Sequence, residues 1–266
     1  MTAAAPPVEA PFRWRGENGV QWIEASLPNA VAAFTTRCGG VSRGDYAELN
    51  LGILTDDDQA LVARNREIVA DALDRDPAGF AMARQVHGSY IQVHEVTPQP
   101  SAYVTRVPDL AEADGHVTGR GDVTPLVLVA DCLPLVMSVP GGVAAIHCGW
   151  RGITGGIVPN AVRALCEMAE AQPSDVSAVM GPSIGACCYE VGVEVTAVFQ
   201  ERALDEAVKG DRVDLPCAVR AQLVTAEVDP IAIAEVGICT SCNPDLFFSH
   251  RRDGPTGRQA GIAWLN

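Results

Sequence analysis

The sequence predicts a single α/β domain, and three observations lead there. Strand-like and helix-like segments are interspersed along the chain. No linker-like stretch, repeat or charge run divides them. The 266 residues are 48% hydrophobic but only 5% aromatic, which suits one large, mostly aliphatic core. Residues 1–15, Ala- and Pro-rich at the start, are expected as a flexible N-terminal tail, and residues 16–266 as the domain.

Taken in order, "GVQWIEASLPNAVAAFTTR" reads as strands, followed by a Gly-punctuated loop from Arg37 to Gly52. "DDQALVARNREIVADALD" has helical periodicity, with Asp residues at its start where the helix dipole favours them. "ARQVHGSYIQVHEV" alternates as a strand. "TPLVLVADCLPLVMSV" is an apolar run suited to a strand buried on both faces, interrupted by Asp131-Cys132. "GGVAAIHC" is its expected hairpin partner. "GIVPNAVRALCEMAEA", "VEVTAVFQERA" and "LPCAVRAQLVTAE" read as helices, "VSAVMG" as a strand, and the tail returns to a last strand.

The formal charge is −14. A field of that sign repels phosphate backbones and anionic membranes, yet leaves room for a small anion in a locally basic pocket. The N-terminus lacks the basic-then-apolar pattern of a signal peptide, and no run suits a membrane span. The expectation is a cytoplasmic protein with neither nucleic acid nor membrane as partner, and with its oligomeric state open. Nine cysteines are too sparse for a disulfide scaffold. Most are expected as buried hydrophobes, including Cys239 and Cys242 of the lone "CTSC" motif; CxxC also suits zinc or redox chemistry and Cys187-Cys188 could approach it, but no second metal site is expected there.

Polar residues that interrupt buried strands are informative, because burial is costly unless they are paired or ligated. His87, Cys132 and His147 stand out. Two imidazoles and one thiolate make a three-donor set with an open fourth position, the pattern of a catalytic zinc site. Copper is the other metal such donors accept. Each residue alone also reads as an ordinary core side chain, and no short regular spacing joins the three. Asp131, beside Cys132, is a candidate for orienting a liganding His. After His147, Gly149 and Gly152 permit a tight turn, and Arg151 with the following helix favours an anion. A plain strand-to-helix turn with an exposed Arg fits equally. Arg37, Arg251 and Arg252 are further anion candidates, against surface ion pairing. His94 is expected at the surface and His116 in or near a turn. His116 and His250 are kept as possible pocket neighbours.

"TTRCGGVSRGDYAELNLG", "NREIV", "RQVHG", "EADGHVT", "ADCLPL", "AAIHCGWRG", "GPSIGACCYEVG" and "SHRRDGPTGRQA" together resemble the laccase-domain or polyphenol-oxidase-like family, the bacterial YfiH/YlmD group. The matching pieces run from about Phe34 to the C-terminus. The resemblance implies layered β-sheets flanked by helices. It implies a zinc site at His87, Cys132 and His147, which would also be the catalytic residues. It implies Arg37 in the substrate or phosphate pocket, where Asn50 and Gln85 of the matching motifs are assigned beside Arg151. The implied activity is phosphorolysis of adenosine, inosine, guanosine and methylthioadenosine to free base and ribose 1-phosphate, with adenosine deamination.

Three alternatives stay open. One is an amide hydrolase that removes serine from muramyl precursors, with Cys132 as nucleophile and His as base. Another is copper-dependent phenol oxidation. The last is a binding protein with a metal clasp. A multicopper oxidase is disfavoured because the chain has five His and no H-x-H pair. Cys148 departs from the family's usual Ala, and a thiol beside His147 bears on metal choice.

Overall fold

The computed structural model describes residues 5–98, 101–104, 107 and 109–266. Residues 1–4 of the expected tail lie outside these. In chain order come β1 (Phe12–Glu17), β2 (Val20–Leu27), β3 (Ala30–Thr35), α1 (Gln59–Ala72), β4 (Phe80–Ala81), β5 (Ile91–His94) and β6 (Gly115–Thr118). Then follow β7 (Thr124–Val129), β8 (Leu133–Val139), β9 (Gly142–Cys148), α2 (Trp150–Thr154) and α3 (Ile157–Ala169). The rest is β10 (Ser177–Met180), α4 (Val193–Glu201), β11 (Val208–Lys209), β12 (Arg212–Val213), α5 (Leu215–Thr225), β13 (Ile233–Glu235), α6 (His250–Asp253) and β14 (Gln259–Leu265).

Two six-stranded mixed sheets form the centre. The first has the order β1-β2-β3-β14-β7-β4 and the second β13-β10-β8-β9-β6-β5. Most neighbours are antiparallel; β4–β7, β5–β6 and β10–β13 are parallel. Side-chain alternation then sorts the apolar residues into three cores. Ile23, Ala32 and Phe34 of the first sheet meet Val136, Ala145 and Val179 of the second. On the second sheet's other face, Leu135, Met137 and Ile146 pack against Ile157, Leu165 and Phe199. On the first sheet's outer face, Trp22, Ala33 and Ile262 pack with Val69 of α1. The layers therefore run helix, sheet, sheet, helix, an α/β architecture. Strands in the middle are buried on both faces, which explains the unbroken apolar run of β8 and β9. Burying one such Leu contributes about 1.5–3 kcal/mol.

The β8–β9 hairpin forms as the sequence suggests, with Pro134 opposite His147. α1 is capped by Asp58, whose side chain accepts from the Ala60 amide at 2.8 Å. Several expectations are corrected. Phe12 is buried and opens β1, so strand structure begins inside the stretch expected as tail. "TPLVLVADCLPLVMSV" is not one strand. β7 belongs to the first sheet and β8 to the second, and the chain crosses between them at Ala130–Cys132. "ARQVHGSYIQVHEV" is strand only over Ile91–His94, and His87 lies on a loop. His94 is buried, not superficial, and His116 is fully buried in β6, not in a turn. Their ring nitrogens meet at 3.0 Å.

Candidate functional site

Three segments deliver the candidate donors to one place. His147 is the last but one residue of β9, on the face opposite Cys148. Cys148 therefore turns into the helix-side core, away from His147's donors. Cys132 sits at the crossing between the sheets. Asp131 before it has φ 90°, a left-handed conformation that needs support in a non-glycine residue. That support is explicit. The Thr240 hydroxyl donates to Asp131 Oδ1 at 2.6 Å, and the Arg251 amide donates to Oδ2 at 2.7 Å. Asp131 thus braces the crossing, and the role of orienting a liganding His belongs elsewhere.

That role falls to Asp114, which sequence reasoning missed. Its carboxylate is fully buried and accepts from the amides of Val86, His87 and Gly88 at 3.1, 2.9 and 2.7 Å. It also meets His147 Nδ1 at 2.7 Å, which leaves Nε2 free as that ring's candidate donor. One carboxylate therefore shapes the His87 loop, where His87 itself has φ 59°, and orients His147. Burial would raise the Asp114 pKa, but His147 and the loop amides outweigh it and hold it below the usual range. The only sequence signal was an acidic residue inside "EADGHVT", a motif otherwise read for its His.

The ligand atoms of His87, Cys132 and His147 all lie within 4.8 Å of one another, with His87 Nε2 3.9 Å from Cys132 Sγ. A Cβ on Gly149 would lie 2.8 Å from His87 Cδ2 and 3.2 Å from Cys132 Sγ. The turn thus leaves free the space beside the donors. Burial alone would raise the Cys132 thiol, but His147 and His87 bring it below the ordinary thiol range. Burial would lower His147, yet Cys132 and Asp114 hold it above the imidazole range. The donor set, spacing and space fit a zinc or copper ion with one position open.

The donors face a cavity of about 490 Å³, within the range of small-molecule sites and also lined by Gln85, Leu128, Arg151, Tyr189, His250 and Arg258. Gln85 is pinned at both ends to Leu128, donating to its carbonyl at 2.7 Å and accepting from its amide at 2.8 Å. Arg151 is exposed over the Trp150 ring, and its guanidinium makes no hydrogen bond or ion pair among the described residues. It belongs to α2, a helix of only five residues. Burial pushes the Tyr189 phenol up to about 12, so it stays protonated.

Other expected contacts lie elsewhere. Arg37 is a brace: Nε donates to the Ala47 carbonyl at 2.8 Å and Nη1 to that of Pro244 at 3.1 Å. Asn50 is fully buried, and its Oδ1 accepts from the Gly52 and Arg258 amides, both at 2.9 Å. Neither lines the cavity. Arg252 is spent on the carbonyls of Thr240, Ser241 and Phe247, whereas Arg251 and His250 do line it. His116 pairs with His94 and is absent from the lining. Cys239 and Cys242, expected as buried thiols, instead gather with Cys187 and Cys188, and Cys187 and Cys242 are exposed.

Residues 31–266 match the family described as multi-copper polyphenol oxidoreductase laccase. The chain belongs to this laccase-domain family, the YfiH/YlmD group. A purine nucleoside phosphorylase of Streptomyces coelicolor is 39% identical over 247 residues, covering 91% of this chain and 98% of that one. The purine nucleoside phosphorylase YlmD of Geobacillus stearothermophilus is 35% identical over 254 residues, covering 89% and 92%. The crystal structure of Bacillus licheniformis hypothetical protein YfiH superposes with a TM-score of 0.88 at 32% identity, covering 97% of this laccase-domain chain and 100% of the other. Among the described residues, no helix is long and apolar enough to cross a membrane.

Proposed function

We propose that this protein is a zinc-dependent purine nucleoside phosphorylase, with adenosine deamination as a second activity. The observation that carries the reading is the open His87–Cys132–His147 set facing a cavity of about 490 Å³ beside an unpaired Arg151. The curated relatives named purine nucleoside phosphorylase support the substrate class.

Phosphorolysis joins a phosphate oxygen to C1′ of the ribose as the C1′–N9 bond breaks. The purine leaves with a proton, and ribose 1-phosphate forms. The protein must hold an anion beside an electrophilic carbon. Arg151 is free to take phosphate, and its guanidinium suits a two-point contact. Met82, Leu110 and Leu128 offer an apolar wall for base and sugar. Gln85 holds Leu128 through one N–H and one oxygen lone pair and keeps that wall in place, with its second N–H unspent. Tyr189 offers a proton donor. When bound at His87, Cys132 and His147, zinc supplies a cationic Lewis-acid centre with an open position for an oxygen ligand. Asp114 keeps the His147 tautomer suited to that role. Multicopper chemistry has no comparable support. His94 and His116 are paired away from the cavity, which leaves too few imidazoles for a copper cluster.

The test is product analysis. Metal-analysed protein is given inosine or adenosine with phosphate, beside Cys132→Ala. Free base and ribose 1-phosphate from wild type, lost in the variant and on chelation, are expected. Zinc-replete wild type that releases neither base nor ammonia overturns the reading. One observation favours a second reading: Asp114, His147 and Cys132 also line up as orienter, base and thiol of an amide hydrolase. Activity on muramyl-serine substrates that survives chelation would select it.

A further inference from the structure

A second cysteine cluster lies outside the cavity. β10 and β13 are parallel neighbours at one edge of the second sheet, so the loops after them leave from the same end. Their pairing continues briefly past the strands. Ser183 donates to the Ile238 carbonyl at 3.3 Å, and the Thr240 amide returns to Ser183 at 3.0 Å. This holds "ACCYE" against "CTSC". The four sulfurs of Cys187, Cys188, Cys239 and Cys242 lie within 4.8 Å of one another. Cys242 is 3.7 Å from Cys187 and 3.4 Å from Cys188. A tetrahedral ion with metal–sulfur bonds of about 2.3 Å requires sulfurs about 3.8 Å apart. The two Cys242 separations are already close to that size, and all six lie within 4.8 Å.

One of the sulfurs already has a partner that favours a thiolate. The Gly185 amide donates to Cys239 Sγ at 3.2 Å, a hydrogen bond that favours negative sulfur. A side chain at Gly185 would crowd both Cys187 and Cys239. Asn243 Nδ2 ties down the Cys239 carbonyl, and Arg212 ties down that of Cys187, both at 2.8 Å. Cys187 and Cys242 are exposed and fill no core, while Cys188 and Cys239 rest half-buried against the edge of the helix-side core.

We infer that Cys187, Cys188, Cys239 and Cys242 form a closed tetrathiolate zinc site that is structural and separate from the cavity. Four protein sulfurs leave no position for substrate, and their protons leave to solvent as the ion binds. The site clamps the loop bearing Tyr189, next to Cys188, and the Thr240 hydroxyl that braces Asp131. The second centre does not depend on the phosphorylase reading.

The experiment counts metal in the isolated protein and then replaces zinc with cadmium or cobalt. Two ions per chain are expected in wild type. Cys132→Ala should lose one and keep a cadmium-113 resonance typical of four sulfurs. The Cys239→Ser/Cys242→Ser pair should lose the other ion and the tetrathiolate cobalt charge-transfer bands. The wild-type cadmium spectrum decides even if the double variant folds poorly. A wild type with one ion only, and no four-sulfur resonance, overturns the inference. So does peptide mapping that finds Cys188–Cys242 as a disulfide in protein isolated without added oxidant.

Discussion

The two cysteine clusters differ in ways that assign them different work. The cavity cluster has one sulfur and two imidazoles, a carboxylate behind it, and an open side toward about 490 Å³ of space. The edge cluster has four sulfurs at the surface and faces no comparable pocket among the described residues. Three donors leave a metal something to do; four leave it only a clamp. A third polar group, the buried His94–His116 pair, has two imidazoles and no third donor. It shows what becomes of histidines that pack without ligating.

The comparison breaks most sharply at Cys132. Cys132→Ala should cut phosphorolysis by more than about 100-fold, beyond the usual loss for an outer partner, with little change in Tm. A steep Tm loss instead would make the cavity cluster a clamp as well. Asp114→Asn should cost about 10–100-fold in activity or metal affinity, because it frees the His87 loop and His147 together. Steady-state kinetics with metal titration would measure this, and an unchanged variant would remove Asp114 from the site. Arg151→Ala should raise the phosphate KM about tenfold with a smaller change in kcat, the loss of one charge-assisted contact. At the edge cluster the order reverses. Cys239→Ser/Cys242→Ser should lower Tm by about 5–10 °C, from a loss of about 2–3 kcal/mol, and leave kcat within a few-fold.

The smallest effect belongs to the histidine pair. Burial, then His94, lowers His116 from 6.5 to about 3, against a weaker opposing pull from Asp114; burial lowers His94 too. Between those values the unfolded chain binds more protons than the folded one. Stability contributed by keeping His116 neutral is therefore full above about 6.5 and falls as the pH drops toward about 3. His116→Gln should flatten part of that acid limb in urea midpoints, without changing metal content.

Legibility in the sequence followed the range of the contacts. The β8–β9 hairpin, α3 and the polar break at Asp131-Cys132 are local patterns, and local patterns can be read. The alternation around His87 misled. That stretch is a loop held by Asp114, and a side-chain hydrogen bond to a distant carboxylate leaves no periodic trace. Arg37 looked like an anion contact because it sits among glycines, but those turns expose backbone carbonyls and the guanidinium answers them. His94 looked superficial because facing was counted along a strand that starts only at Ile91. "CC" and "CTSC" are far apart in sequence, and only the parallel pairing of β10 with β13 brings them together.

Gly149 has a further consequence. Its φ is −77°, which any residue adopts, so its lack of a side chain serves space rather than backbone freedom. One methyl group there would intrude between His87 and Cys132 while keeping every donor atom and charge of the cavity cluster. The reach between the donors is therefore set by an atom the chain omits. Alanine at that position gives the engineer a wedge that spreads the donors without altering their chemistry.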